Sequence, residues 1–314
     1  MLLPDYSDVK KAHALIQAHI HRTPVLTNKS INEIFGASIF FKCENFQKVG
    51  AFKFRGATNA VMSLSDEEAN KGVATHSSGN HAAALALAAK SRGIAAYVVM
   101  PSNSPEVKKR AVAGYGAQIT FCEPTLAARE STLKKVIEET GATEVHPYHN
   151  FFVIAGQGTA AKELLEDSPE LDMVLCPVGG GGLISGTALS VKALSPGTKV
   201  LACEPAGADD AYRSFYSKEL VPSIHPQTIA DGLLTSVGVL NFEIMLKHID
   251  EVYTVSETSI VEAMRLIWER MKIIIEPSSA VPLAALLEKK LEVQGKKVGI
   301  ILSGGNVDLG NLPF

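Results

Sequence analysis

DMVLCPVGGGGLISGTALSVKAL, residues 172–194, governs how the rest of the chain is read. Its first run, DMVLCPV, is apolar without alternation, as a strand covered on both faces requires. Four glycines follow, Gly179, Gly180, Gly181 and Gly182, and then a helix-forming stretch beginning at Leu183. Without Cβ atoms, backbone N–H groups can approach an anion closely, and the start of a helix adds a favourable dipole. A plain flexible turn is the alternative, but four glycines in a row carry a large entropic cost for that alone. The loop reads as a phosphate cradle. It is not a Walker loop, because no GK[ST] follows, and it does not have GxGxxG spacing.

The same strand-then-helix unit recurs in both directions. SIFFKCEN (38–45), AAYVVMP (95–101), AQITFCEP (117–124), KVLACEP (199–205), EVYTVS (251–256) and KKVGIILSG (296–304) read as strands. GNHAAALALAAKSRG (79–93) reads as a helix stopped at Gly93. SPEVKKRAVAGYG (104–116) reads as one with Ser104 as cap and Pro105 in the first turn. Further helices are expected over 125–141, 259–272 and 279–291. Apolar strands alternating with helices indicate an α/β protein with parallel sheets flanked by helices. Ligands in such folds sit beyond the carboxyl ends of strands. That rule singles out THSSGNH (75–81), PVGGGGL (177–183), ACEPAGADD (202–210) and LSGGNVD (302–308).

The chain has 314 residues, 46% hydrophobic and 20% charged, with a net charge of -3. At roughly 150 residues per domain this suggests two domains with a substantial core. The charge gives no reason to expect nucleic acid or acidic membrane as a partner. No apolar run approaches the length of a membrane span, and the N-terminus lacks the order of a signal peptide. Cys43, Cys122, Cys176 and Cys203 are scattered with no CxxC, which suits reduced thiols in a cytoplasm. Cys176, inside an apolar run, reads as core packing rather than a nucleophile.

Several motifs stay open on spacing alone. AGQGTAA (155–161) loosely matches GxGxxA, but no acidic residue ends a strand about twenty residues on, so a tight turn into a helix is expected. In SSGNH (77–81), Ser77 and Ser78 could cap a helix or serve a site, and Asn80 and His81 could satisfy nearby backbone. Ser303 in LSGGN ends a strand beside two glycines. Glu204, with Asp209 and Asp210 after it, could ligate a hard cation or form an acidic surface loop. HPYHN (146–150) carries an HxxH pattern without a third ligand, so loop histidines are expected. GAFKFRGA (50–57) places Lys53 between Phe52 and Phe54, either as part of an exposed alternating strand or as a lysine kept neutral by apolar neighbours. Only the second reading suits a Schiff base with a phosphorylated aldehyde, which the phosphate cradle would hold.

KCENFQKVGAFKFRGA, SSGNHAAALALAA, AGQGTAA, PVGGGGLISG, IADG and LSGGN resemble the serine racemase and serine/threonine dehydratase family of pyridoxal-phosphate (PLP) enzymes. The resemblance spans nearly the whole chain and implies the tryptophan-synthase-β-like PLP fold type II. It implies a large PLP-binding domain from 1–70 and 148–314 and a small mobile domain from 71–147. Lys53 would carry the cofactor, with Phe52 packed near it and Asn80 hydrogen-bonded to its 3-oxygen. Gly179, Gly180, Gly181, Gly182 and the Leu183 amide would hold the phosphate, and Ser303 would face the ring nitrogen. Ser77 and Asn80 would bind the substrate carboxylate. Glu204, the Ala208 carbonyl and Asp210 match the family's divalent-cation site, for Mg2+, Mn2+ or Ca2+.

The implied reaction is β-elimination of L-serine and L-threonine to a keto acid and ammonia. Ser78 would protonate the opposite face, giving D-serine. Some hydroxyaspartate dehydratases share SSGNH, so 3-hydroxyaspartate is an alternative substrate. Arg129 would receive its second carboxylate, or is a solvated helix charge. Racemase-like relatives further imply a homodimer with ATP as an activator. The sequence ends soon after SGGNVDL, so no regulatory domain of the biosynthetic threonine dehydratase kind is expected. The rivals are a non-catalytic nucleotide-binding protein, which would not need Lys53, and a β-replacement enzyme, whose substrate loop would resemble TSGNT.

Overall fold

The computed structural model describes residues 2–77, 79–104 and 106–314, apart from the side chain of Val107. The strands in chain order are β1 Val25–Leu26, β2 Ser38–Cys43, β3 Val73–His76, β4 Ala96–Pro101, β5 Gln118–Cys122, β6 Thr143–Glu144, β7 Met173–Pro177, β8 Lys199–Pro205, β9 Glu251–Val255 and β10 Lys297–Leu302. Among the described residues they form two sheets. One runs β1-β2-β10-β7-β8-β9, the other β5-β4-β3-β6. Every pairing among them is parallel except β1 with β2. The second sheet, with its helices, is a chain segment placed between the strands of the first.

Apolar residues on both sides of each central strand explain the layering, because successive side chains point to opposite faces. Phe41, Leu175, Ile300 and Leu302 pack under the helices Glu257–Met271 and Pro277–Leu287. Val174, Cys176 and Ile301 pack with the helices Phe151–Asp167 and Gly182–Leu194 on the other face. The second sheet buries Ala74 and Val99 against Leu133 and Val136 of the helix Leu126–Thr140. Its other face meets the alanine-rich helix Asn80–Arg92, which ends at left-handed Gly93. A further core joins Phe54, Ala57 and Val61 to Val73, Leu85 and Ala88, so apolar packing runs across residue 70.

One open alternative is decided and one expectation changes. GAFKFRGA is not a strand: Lys53 opens the helix Lys53–Met62. AGQGTAA is not a tight turn: it lies inside the helix Phe151–Asp167. Its glycines are there because helices cross at backbone distance. A Cβ on Gly156 would stand 2.7 Å from the Gly56 Cα, and one on Gly158 would stand 2.8 Å from the Gly186 carbonyl oxygen. From the other side, a Cβ on Gly186 would lie 2.4 Å from the Gly158 nitrogen. The GxG pattern serves helix packing, which spacing cannot distinguish from a turn.

Gly158→Ala gains about 1 kcal/mol of helix propensity. It must then push backbone from backbone, an overpacking cost of about 1–3 kcal/mol. We expect a net loss of stability in denaturant unfolding. Gly114→Ala, at a helical position where a Cβ meets nothing within 4 Å, should be neutral or slightly stabilising.

Candidate active site

Three of the four singled-out loops, THSSGNH, PVGGGGL and LSGGNVD, follow the carboxyl ends of β3, β7 and β10, and ACEPAGADD follows β8. The segment 49–52 is pinned onto the segment after β10. The Phe52 N–H donates to the Ser303 carbonyl at 3.0 Å and the Gly305 N–H to the Gly50 carbonyl at 2.9 Å. Ala51 bridges Gly304, and the Asn306 amide donates to the Val49 carbonyl at 2.7 Å. Val49 is held at φ 57, a left-handed conformation that a β-branched residue adopts only under constraint. Lys53 is therefore fixed beside Ser303 although 250 residues separate them.

Beneath Lys53, the helix is anchored by Arg55. Its guanidinium, fully buried, donates to Glu44 at 2.7 and 2.9 Å and to Glu163 at 2.9 and 2.7 Å. Lys42 donates to Glu163 at 2.7 Å, and Thr23 to Glu44 at 2.5 Å. Burial alone would raise the Glu163 carboxyl, but Arg55 and Lys42 hold it down at about 2.

Lys53 is half-buried, and its amine donates to the Pro147 carbonyl at 2.9 Å. Burial lowers its pKa to about 8, against a smaller opposing pull from Glu276. The shift runs in the direction that a lysine kept neutral would need, but not through two flanking rings. Only Phe52 lies by the amine, 5.1 Å from ring centre, while Phe54 turns into the core. The desolvation comes from the pocket as a whole.

The tetraglycine loop meets the first turn of the helix Gly182–Leu194, with Gly181 at φ 91. The opening N–H groups of that helix, Leu183 among them, have no carbonyl acceptor within it. Neighbours crowd this loop so that side chains are excluded. A Cβ on Gly180 would lie 2.3 Å from the Tyr148 ring, and one on Gly179 2.9 Å from the Leu233 Cα. Asn241, unremarked in the sequence, donates to the Gly180 and Tyr148 carbonyls. Ser303 is buried, with its hydroxyl 3.1 Å from that of Ser279. A lysine with a lowered pKa, a glycine-walled helix start and a buried hydroxyl thus fit a phosphorylated pyridine aldehyde.

Ser77 accepts weakly from the Gly79 N–H at 3.4 Å; Gly79, not a serine, is the helix cap. Ser78 lies outside the described residues. Asn80 donates to both Glu276 oxygens at 3.1 Å. The histidines of HPYHN serve the loop. His146 Nδ1 accepts the His149 N–H at 3.0 Å, and burial lowers its pKa to about 3. His81 is likewise lowered to about 3 by burial, while its Nε2 lies 2.9 Å from the Val145 carbonyl. Arg129 is half-buried on the helix Leu126–Thr140, and its Nε is buried without a partner. Its positive charge helps lower the His76 pKa, after the larger effect of burial.

At the end of β8, Glu204 accepts the Ala211 and Tyr212 N–H groups at 3.2 and 2.5 Å, and Asp210 accepts that of Val237 at 2.9 Å. Burial pushes Glu204 up to about 9 and Asp210 to about 6. Among the described residues no three His, Cys, Asp or Glu side chains converge as a metal-binding group. The buried thiols are pushed up by burial, Cys43 to about 12, so no thiolate is on offer there.

Residues 16–304 match the model of the pyridoxal-phosphate dependent enzymes. The chain belongs to that family. It is 54% identical to a beta-hydroxyaspartate dehydratase of Paracoccus denitrificans (strain Pd 1222), over 100% of both chains. The crystal structure of serine racemase from Dictyostelium discoideum matches with a TM-score of 0.94 and 55% identity, covering 98% of this chain and 99% of that one. The structure of maize serine racemase matches with a TM-score of 0.96 and 46% identity over 98% and 95%. The expected fold, PLP fold type II, is the fold found.

A lysine lowered by burial offers its neutral amine only above its own pKa. Uptake of PLP by the apoprotein, followed by visible absorbance, should therefore accelerate through about pH 8, not near the 10.5 of an ordinary lysine. Lys53→Arg should stay colourless.

Proposed function

We propose that this protein is a PLP-dependent dehydratase and racemase of small hydroxy amino acids. It converts L-serine and L-threonine to a keto acid and ammonia and interconverts L- and D-serine. The observation that carries this reading is the Lys53 amine, lowered to about 8 by burial, on a segment pinned to Ser303 by the Phe52 N–H. Binding a phosphate needs no such lysine, which weighs against a non-catalytic nucleotide-binding protein.

When bound, PLP supplies an electron sink that stabilises negative charge on the substrate α-carbon. Gly179, Gly180, Gly181, Gly182 and the Leu183 N–H would hold its phosphate, and Ser303 would face its ring nitrogen. A serine hydroxyl is a poor acid and would leave that nitrogen largely unprotonated. Phe52 would pack beside the ring. Ser77 and Asn80 would hold the substrate carboxylate. The Lys53 Nζ, once freed, takes the α-proton on one face. Loss of the β-hydroxyl followed by hydrolysis gives the keto acid and ammonia. The Ser78 hydroxyl gives a proton to the opposite face, and the product is then the enantiomer.

A second reading, 3-hydroxyaspartate as the preferred substrate, is favoured by Arg129. A guanidinium with an unpartnered, buried Nε suits a second carboxylate. The likeness to the Paracoccus dehydratase over both full lengths supports it. We further propose a structural divalent cation at Glu204, the Ala208 carbonyl and Asp210. Two buried carboxylates with raised pKa values would be relieved by a cation. The residues 71–147 act as a small domain that closes over substrate against 1–70 and 148–314. A cytoplasmic homodimer activated by ATP completes the proposal.

Purified protein with PLP, magnesium and L-serine, assayed for pyruvate and D-serine together, tests the main reading. Both products are expected. Ser78→Ala should lose D-serine formation by about a hundredfold or more while pyruvate persists. Absence of both products, with 3-hydroxyaspartate consumed instead, selects the second reading. Arg129→Met should then raise KM for 3-hydroxyaspartate by about tenfold or more, the worth of one lost charged hydrogen bond, and leave serine unaffected.

A further inference from the structure

Glu276 is a buried carboxylate to which the reaction above gives no part. It stands at the N-cap position of the helix Pro277–Leu287, yet its side chain does not cap that helix. It reaches instead to Asn80, at the start of a helix on the other sheet, whose amide donates to both of its oxygens at 3.1 Å. Gly304 makes room for it, since a Cβ there would lie 2.8 Å from Oε1.

The orientation of this chain of groups is fixed chemically. The Val49 carbonyl can only accept, so the Asn306 amide turns its NH2 there, at 2.7 Å. The same NH2 donates to the Asn80 side-chain oxygen at 2.9 Å. The Asn80 NH2 must then face Glu276, an acceptor when ionised. Asn306 and the Glu276 carboxylate thus agree on which way Asn80 points, and Asn80 is the residue we assign to the cofactor's 3-oxygen and the substrate carboxylate.

We propose that Glu276 is a positioning residue for cofactor capture: it holds the Asn80 amide in its donating orientation and supplies negative charge beside the Lys53 amine. This rests on the PLP reading of the site. Facing the carboxylate are Asn80, the Asn306 N–H, Asp231 and Lys108, the last two paired at 2.6 Å. Facing the Lys53 amine are Glu276, His81, His146 and the Pro147 carbonyl. Both histidines are neutral near pH 7, which leaves Glu276 to set the local charge. Burial raises its own pKa to about 7, so the charge is present in the range where Lys53 titrates.

The sign follows. A carboxylate favours the protonated amine, so removing its charge lowers the pH at which Lys53 becomes nucleophilic. The test measures, without substrate, the pH at half-maximal rate of PLP uptake and the dissociation constant for PLP, both by visible absorbance. Glu276→Gln should move that pH down by about one unit and weaken PLP binding by about tenfold. Glu276→Asp keeps the charge and loses the reach to Asn80. It should weaken binding while leaving the pH near the parent's. Folded, coloured variants in which neither quantity moves would overturn the proposal, as would an Asp variant that shifts the pH as far as the Gln variant. A parent protein that takes up no PLP would overturn this proposal and the enzyme reading together.

Discussion

Four charges buried together, Arg55, Lys42, Glu44 and Glu163, are the constraint on which the rest of the site depends. Stripping charges of water costs several kcal/mol per ion, and close pairing recovers it only when geometry and hydrogen bonds are satisfied. Here the Arg55 guanidinium is met by carboxylates on two sides, and Thr23 and Thr159 complete the set. An apolar cluster of similar volume would tolerate sliding, whereas this one has a single arrangement. It ties the helix that begins at Lys53 to β2 through Lys42 and to the helix Phe151–Asp167 through Glu163. Two residues upstream of Arg55, the Lys53 amine inherits that placement.

Glycine supplies the complementary constraint. Gly56, Gly156, Gly158 and Gly186 bring three helices to backbone contact, and Gly304 leaves room for the Glu276 carboxylate. Charge fixes the direction of these elements and glycine fixes their distance. The lysine can then be largely desolvated by surrounding protein while its side chain stays partly open to the cleft. A pKa near 8 results from this enclosure, not from any single aromatic neighbour.

Legibility from the sequence follows the range of the interaction involved. Local rules suffice for unalternated apolar strands such as DMVLCPV, for the Gly93 stop and for the tetraglycine helix start, because the physics lies within a few residues. AGQGTAA misleads because its glycines answer to partners about 100 and 30 residues away, Gly56 and Gly186. Arg55 gives no sign of its role beside Lys53, since nothing near it in sequence shows that Glu163 will neutralise it. Glu276 is equally silent. IEPSSA reads as a helix start with an acidic residue before proline, a pattern that fits a cap as well as a functional carboxylate.

The two sheets give the chemistry its geometry. Lys53, Ser303 and the glycine loop belong to the ends of the six-stranded sheet, while Ser77, Asn80 and Arg129 come from the four-stranded one. Substrate held by the second set must meet an amine held by the first. The Asn80–Glu276 contact and the Lys108–Asp231 pair span that boundary. The latter is an exposed ion pair worth at most about 1 kcal/mol, so it can guide closure but cannot enforce it. The Asn80 contact is buried on the Glu276 side and touches the residue to which the proposal gives both substrate and cofactor. If Asn80 engages ligand as proposed, that engagement and the apposition of the two sheets draw on the same contact with Glu276.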